Sequence, residues 1–157
     1  MKKFLGFAVI ILSLITACKK SDPYDAEKQL AKDEALIKEF IAKNNIPAIR
    51  DTTGVYYVIS EPGSGNVTYT ANTSVRVKYK LRLLNGTEIP QTTEPISFTL
   101  GGVIAGWQIG IPKIQPGGKI RLLIPSVWAY GPNASGGIPA NSVLDFDIEL
   151  LNINSVN

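Results

Sequence analysis

The chain has 157 residues, enough for one domain of about 100 residues around a single core, with segments to spare. Its formal net charge is +3, and without Lys2 and Lys3 at the extreme N-terminus 14 basic residues face 13 acidic ones, a net +1 that gives no basis for a nucleic-acid partner. There is no histidine and one cysteine, Cys18, which excludes histidine base catalysis, an intrachain disulfide and a thiolate or imidazole metal centre.

Met1-Lys2-Lys3 precedes a run without charge from Phe4 to Ala17, too short to span a bilayer comfortably as a helix. It reads as an export signal. The run ends Leu14-Ile15-Thr16-Ala17-Cys18, which resembles the bacterial lipobox, and the only cysteine falls where that processing needs it. Residues 1–17 therefore read as a lipoprotein signal peptide and Cys18 as the lipidated residue; the alternative is a plain secretory signal with an incidental cysteine. Each buried acyl CH₂ is worth about 0.8 kcal/mol and two chains make a stable anchor. Such a Cys18 would hold the protein on a membrane of the bacterial cell envelope, facing away from the cytoplasm, and on the outer membrane in a Gram-negative source.

Residues 18–52 carry a helical pattern. Asp22 is the expected N-cap, Pro23 the first helical position, and Asp25 and Glu27 sit near the positive end of the dipole. Ala26, Leu30, Ile37, Phe40 and Ile41 fall on one stripe; Asn44-Asn45 and Pro47 close the helix. The segment is a spacer packing one side on the domain or, alternatively, a dimerisation arm, with a monomer the expected state.

From Thr53 the period changes to two. Gly54 to Ile59 reads as a first strand. In Val75 to Leu83, Val75, Val77, Tyr79, Leu81 and Leu83 alternate with Arg76, Lys78, Lys80 and Arg82, and Asn85-Gly86 ends the run with a hairpin signal. Lys119 to Ile124 alternates as well, and Leu144 to Leu150 puts Phe146 and Ile148 on one face with Asp145, Asp147 and Glu149 on the other. Basic and acidic stripes suit two antiparallel neighbours sharing one solvated face, since opposite charges across a pair add about 0.2–1 kcal/mol each.

Between the strand Ile96–Leu100 and Pro112, the stretch Gly101-Gly102-Val103-Ile104-Ala105-Gly106-Trp107 reads as a short helix that cannot run past Ile111. It holds a tryptophan beneath the sheet, and the uncommitted N–H groups of Val103 and Ile104 precede it. An apolar pocket floored by an indole, with a backbone donor at its rim, follows from that arrangement. Pro116-Gly117-Gly118 fits a tight turn, and Asn133 to Pro139 reads as a mobile flap. No P-loop, dinucleotide fingerprint or nucleophile–histidine pair is present, and no cofactor is implied.

LGGVIAGWQIG, GGKIRLLIP, AYG and GGIPANSVLDFDIELL together resemble the signature of the FKBP-type peptidyl-prolyl cis-trans isomerases, over roughly two thirds of the chain from Thr53 to Ile153. The expected fold is of the α+β class: a twisted five- to six-stranded antiparallel sheet wrapped around one short helix, preceded by the N-terminal helix, with residues 53–157 as the isomerase domain. The resemblance implies that Trp107 floors a proline pocket lined by Tyr79, Phe98, Val103, Ile104, Ile138 and Phe146. It further implies that the Ile104 N–H and the Tyr130 hydroxyl donate to substrate carbonyls. The implied activity is non-covalent rotation of Xaa-Pro bonds in proline-containing polypeptides of the envelope, without metal. Where the family usually has Phe-Asp, this chain has Ile89-Pro90, which favours the rival reading of a catalytically weak chaperone or proline-binding module.

Overall fold

A computed structural model describes residues 23–154; the expected signal peptide and Cys18 lie outside them. The chain opens with helix α1 (Ala26–Asn44), followed by strands β1 (Ile49–Arg50), β2 (Tyr56–Glu61), β3 (Ser74–Leu83), β4 (Glu88–Ile89) and β5 (Ile96–Thr99). The short helix α2 (Ala105–Gly110), β6 (Lys119–Ile124) and β7 (Leu144–Asn154) complete it. The sheet runs β1-β2-β6-β7-β3-β4, with β5 on the same edge of β3 as β4, and the strand pairs are antiparallel. Among the described residues seven strands stand where five or six were expected. The additions are the two-residue β1 and β4, too short to carry a period of their own.

The expected partnership of β3 and β7 is present, with Lys78 opposite Glu149, Lys80 opposite Asp147 and Arg82 opposite Asp145. The face they share is not simply solvated, however. Asp145 is 1% exposed, gripped bidentately by Arg121 at 2.8 Å from Nε and Nη2 and contacted by Arg82 Nε at 3.2 Å. Helix α1 lies over this end, placing Ile37, Phe40 and Ile41 in a cluster with Tyr56, Leu123 and Val143, and the Phe40 ring sits 5.8 Å from the Arg121 guanidinium. An aromatic face stacked on a paired guanidinium removes water from the pair without removing its partner.

Helix α1 begins three residues later than expected. Asp25, not Asp22, is its N-cap, because its carboxylate reaches the Lys28 N–H at 3.0 Å directly ahead of the strong helix formers Ala26 and Glu27. Its end is as expected: Asn45 takes the left-handed conformation and Ile46 donates back to the Ile41 carbonyl at 3.0 Å.

On the opposite face the sheet wraps α2. The close approach comes from Gly106 and Gly110, one turn apart, where a Cβ would overlap Ile124 and Leu122 of β6. Gly101 presses on the Ala71 backbone, and Gly102 faces open space. Regular α-helix stops at Gly110, and one 3₁₀ turn carries Pro112 as far as Lys113.

Candidate active site

With α2 drawn onto β6, the Trp107 indole lies in the centre of the sheet's concave face, 3% exposed. Three rings stand nearly perpendicular to it: Tyr79 of β3 at 5.0 Å between centroids, Phe146 of β7 at 5.3 Å and Phe98 of β5 at 5.5 Å. Edge-to-face packing of this kind stabilises by about 0.5–1.5 kcal/mol per pair beyond the area buried, so the walls are stiff. The indole Nε1 is buried with no hydrogen-bond partner among the described residues, a donor held in an apolar floor.

The cavity above has a volume of about 360 Å³. All eight pocket residues expected from the sequence line it: Tyr79, Phe98, Val103, Ile104, Trp107, Tyr130, Ile138 and Phe146. Cys18 alone among the expected site residues lies outside the described chain. Ile104 precedes α2 with extended backbone; its carbonyl accepts from Trp107 N at 3.0 Å, while its own N–H has no partner among the described residues. Tyr130 is 38% exposed at the rim, and its hydroxyl likewise has no partner among them. Two free donors therefore open onto one apolar hollow.

Tyr79 differs from Tyr130 in that its hydroxyl donates to Gln91 Oε1. Burial pushes the Tyr79 phenol above the ordinary tyrosine range, and the neighbouring Tyr130 adds to the effect. Gln91 stands on the exposed arm between β4 and β5, beside Pro90, and also lines the cavity. The sequence offered no signal for it, because a lone glutamine in a loop has no period. Leu81 and Ile89 join the lining through the β3–β4 hairpin, which closes as expected at Asn85-Gly86.

Within the Asn133–Pro139 stretch expected to be a flap lies a closed two-residue turn. Ser135 and Ile138 exchange both backbone hydrogen bonds, at 3.0 and 2.8 Å, with Gly136 and Gly137 at positive φ between them. This turn lowers Ile138, 5% exposed, into the cavity.

A larger trough of about 1090 Å³ runs over the outward face, lined by charged side chains including Lys78, Lys80, Arg121, Asp147 and Glu149. Of the Tyr79, Phe98, Trp107 and Phe146 rings only Tyr79 lines it, so the smaller hollow, which holds all four, is the better candidate for chemistry. Among the described residues no group of three or more histidine, cysteine, aspartate or glutamate side chains is placed to hold a metal.

Comparison with known proteins places the chain in a family. Residues 65–151 match the family model described as FKBP-type peptidyl-prolyl cis-trans isomerase. The FKBP-type peptidyl-prolyl cis-trans isomerase FkpA of Escherichia coli K12 is 41% identical over 140 residues, covering 86% of this chain and 52% of that protein. Its namesake from Buchnera aphidicola subsp. Schizaphis graminum is 37% identical over 147 residues, covering 92% and 58%. The chain thus spans somewhat more than half the length of these curated relatives. Among solved structures, FkpA from Escherichia coli superposes with a TM-score of 0.71 at 39% identity, covering 84% of this chain and 64% of that one. A peptidyl-prolyl cis-trans isomerase from Pseudomonas syringae pv. tomato gives 0.70 at 31% identity, covering 86% of this chain and all of the other. A family model matched over more than half the chain, and a whole solved relative overlaid at that identity, establish that this chain belongs to the FKBP-type peptidyl-prolyl cis-trans isomerase family.

Proposed function

We propose that the chain is a peptidyl-prolyl cis-trans isomerase acting on proline-containing polypeptides, with residues 53–157 as the catalytic domain and the Trp107 hollow as its site. The observation that carries this reading is the convergence of two unpartnered donors, Ile104 N–H and Tyr130 Oη, on one aromatic cavity. The rotation barrier of about 18–20 kcal/mol comes from amide resonance, and uncatalysed exchange takes about 10–100 s. A gain of about 10³–10⁵ requires only about 4–7 kcal/mol.

Trp107, Tyr79, Phe98 and Phe146 receive the pyrrolidine ring and exclude water from the amide. Loss of water favours the less polar, twisted amide over the planar one. The Ile104 N–H and the Tyr130 hydroxyl then hold substrate carbonyls while the C–N bond turns, and no side chain forms a bond or transfers a proton.

The protein is further proposed to be exported, anchored through lipid on Cys18 and active as a monomer in the bacterial cell envelope. Supporting this are the lipobox-like run ending at Cys18 and the envelope logic of an export signal.

A second reading, a proline-binding module with little turnover, is favoured by Pro90, which stands between the lining residues Ile89 and Gln91 where the family resemblance leads one to expect a carboxylate. The two part in an assay on a short Xaa-Pro peptide with the unaltered chain, Trp107→Ala and Pro90→Asp. The isomerase reading expects turnover that Trp107→Ala abolishes. An inactive parent rescued by Pro90→Asp would establish the binding module instead.

A further inference from the structure

We propose that Asp33, on the N-terminal helix, is a positioning residue for the Tyr130 hydroxyl, so that α1 is a working part of the isomerase site; this rests on the reading of the pocket given above. Asp33 is fully buried, and so is Ser126 at 1% exposed. Across 93 residues of sequence, Asp33 Oδ2 accepts from Ser126 N at 2.7 Å and from Ser126 Oγ at 2.6 Å. Its other oxygen accepts from Gln29 Nε2 at 2.8 Å, one turn earlier on the same helix.

Ser126 opens the 3₁₀ turn Ser126–Trp128 that follows β6. Its carbonyl accepts from Ala129 N at 2.9 Å and from Gly131 N at 2.8 Å, the two residues on either side of Tyr130. One residue thus receives the helix through its N–H and hydroxyl and holds the tyrosine-bearing loop through its carbonyl. Trp128 Nε1 ties the same turn to the Thr53 carbonyl at 2.9 Å, and a Cβ on Gly131 would lie 3.7 Å from the Tyr24 hydroxyl ahead of α1. The Tyr130 side chain has no hydrogen bond among the described residues, so its direction at the cavity rim is set by the backbone, whose carbonyl accepts from Asn133 N at 3.2 Å.

Docking the helix does not require this carboxylate. Ile37, Phe40 and Ile41 already pack on Leu123 and Val143, and an aliphatic residue at 33 would extend that stripe. A buried carboxylate is expensive to desolvate and earns its place where it fixes a register that apolar packing leaves loose. Here the register fixed is that of a turn whose misplacement by an ångström is enough to spoil a donor aimed at a rotating amide.

The test is a double-mutant cycle on the full chain in mild detergent, assayed with a short Xaa-Pro peptide. The unaltered chain and Tyr130→Phe come first: no turnover in the former, or undiminished turnover in the latter, overturns the pocket reading and this proposal with it. With those in place, Asp33→Ala lowers kcat about tenfold with KM held within about twofold, and adds nothing further on the Tyr130→Phe background. Asp33→Asn, whose amide oxygen still accepts from Ser126 while its NH₂ meets a flipped Gln29 amide, restores most of the rate. Equal losses on both backgrounds, or full activity in a folded Asp33→Ala chain, overturn the positioning role and leave the pocket reading standing. Should circular dichroism show Asp33→Ala unfolded, Ser126→Ala replaces it in the cycle. That variant loses the Oγ bond alone, and the expected loss of about twofold to fivefold must vanish on the Tyr130→Phe background.

Discussion

Removing the Tyr130 hydroxyl takes away one hydrogen bond to a carbonyl that changes direction during the reaction, and nothing the described fold uses. Tyr130→Phe should therefore lower kcat/KM about tenfold, a loss of about 1.4 kcal/mol, with an unchanged melting temperature. A fall in melting temperature with the rate intact would assign the hydroxyl to stability instead. At Gly106 the expectation is reversed. A methyl group there meets Ile124 of β6, so Gly106→Ala should destabilise the fold by about 1–3 kcal/mol and lift Trp107 out of register. Urea denaturation measures the first effect and Trp107 fluorescence the second. Tyr79, Trp107 and Phe146 could be placed from the sequence because strand alternation and a proline-limited helix constrain them locally. Gly106 and Gly110 looked like ordinary helix glycines, since the side chains they make room for lie on a strand more than ten residues away.

Among elements, the β3–β7 partnership was legible because four basic and three acidic positions at period two demand opposite neighbours. Arg121 of β6 then turns an ordinary cross-strand ladder into a buried clamp on Asp145. Arg121→Leu leaves that carboxylate with Arg82 alone and should cost about 2–4 kcal/mol in chemical denaturation, whereas breaking an exposed, solvent-screened pair such as Lys119 with Glu61 should cost far less. A second tie joins the chain ahead of β2 to the 3₁₀ turn that follows α2: Lys113 Nζ bonds Asp51 at 2.7 Å, and Asp51 also accepts from Thr53. The Lys113 ammonium, followed by the Thr53 N–H, lowers the Asp51 carboxyl from 3.8 to about 2. Its folded pKa lies below its unfolded one, so its stabilising contribution is complete above about pH 4 and disappears as pH falls through about 2. In Asp51→Asn the melting temperature should fall less steeply between those limits; an identical slope in both proteins would deny the pair any such role. Neither tie was visible in sequence, because each joins residues from separate elements with no shared period. The same holds for Asp33, a single acidic residue on an apolar stripe whose reason for being there is 93 positions downstream.

At the scale of the molecule, a sheet wraps one short helix on its concave face and carries another, α1, over part of its convex face. The sheet around one helix and the β3–β7 pair were readable because turn signals, alternation and the proline stop at 112 all agreed with one another. The strand count and the closed Ser135–Ile138 turn were not, since two-residue strands leave no pattern and a glycine pair fits a loose loop as well as a tight turn. A chain with no histidine, and whose pocket donors are a phenol and a backbone amide, should turn over at a rate flat from about pH 6 to pH 8. A bell or a step in that range would reveal a titrating group that the described cavity does not contain.

The central claim is that a dry aromatic hollow lets a prolyl amide rotate without covalent help. Exchange NMR on a short Ala-Pro peptide with a substoichiometric amount of the full chain in mild detergent reads this directly, because cis and trans signals are followed at equilibrium. The account predicts exchange accelerated from the uncatalysed about 10–100 s to well under a second, with the cis fraction unaltered. Peptide signals that shift on binding while the exchange rate stays at its uncatalysed value would contradict it.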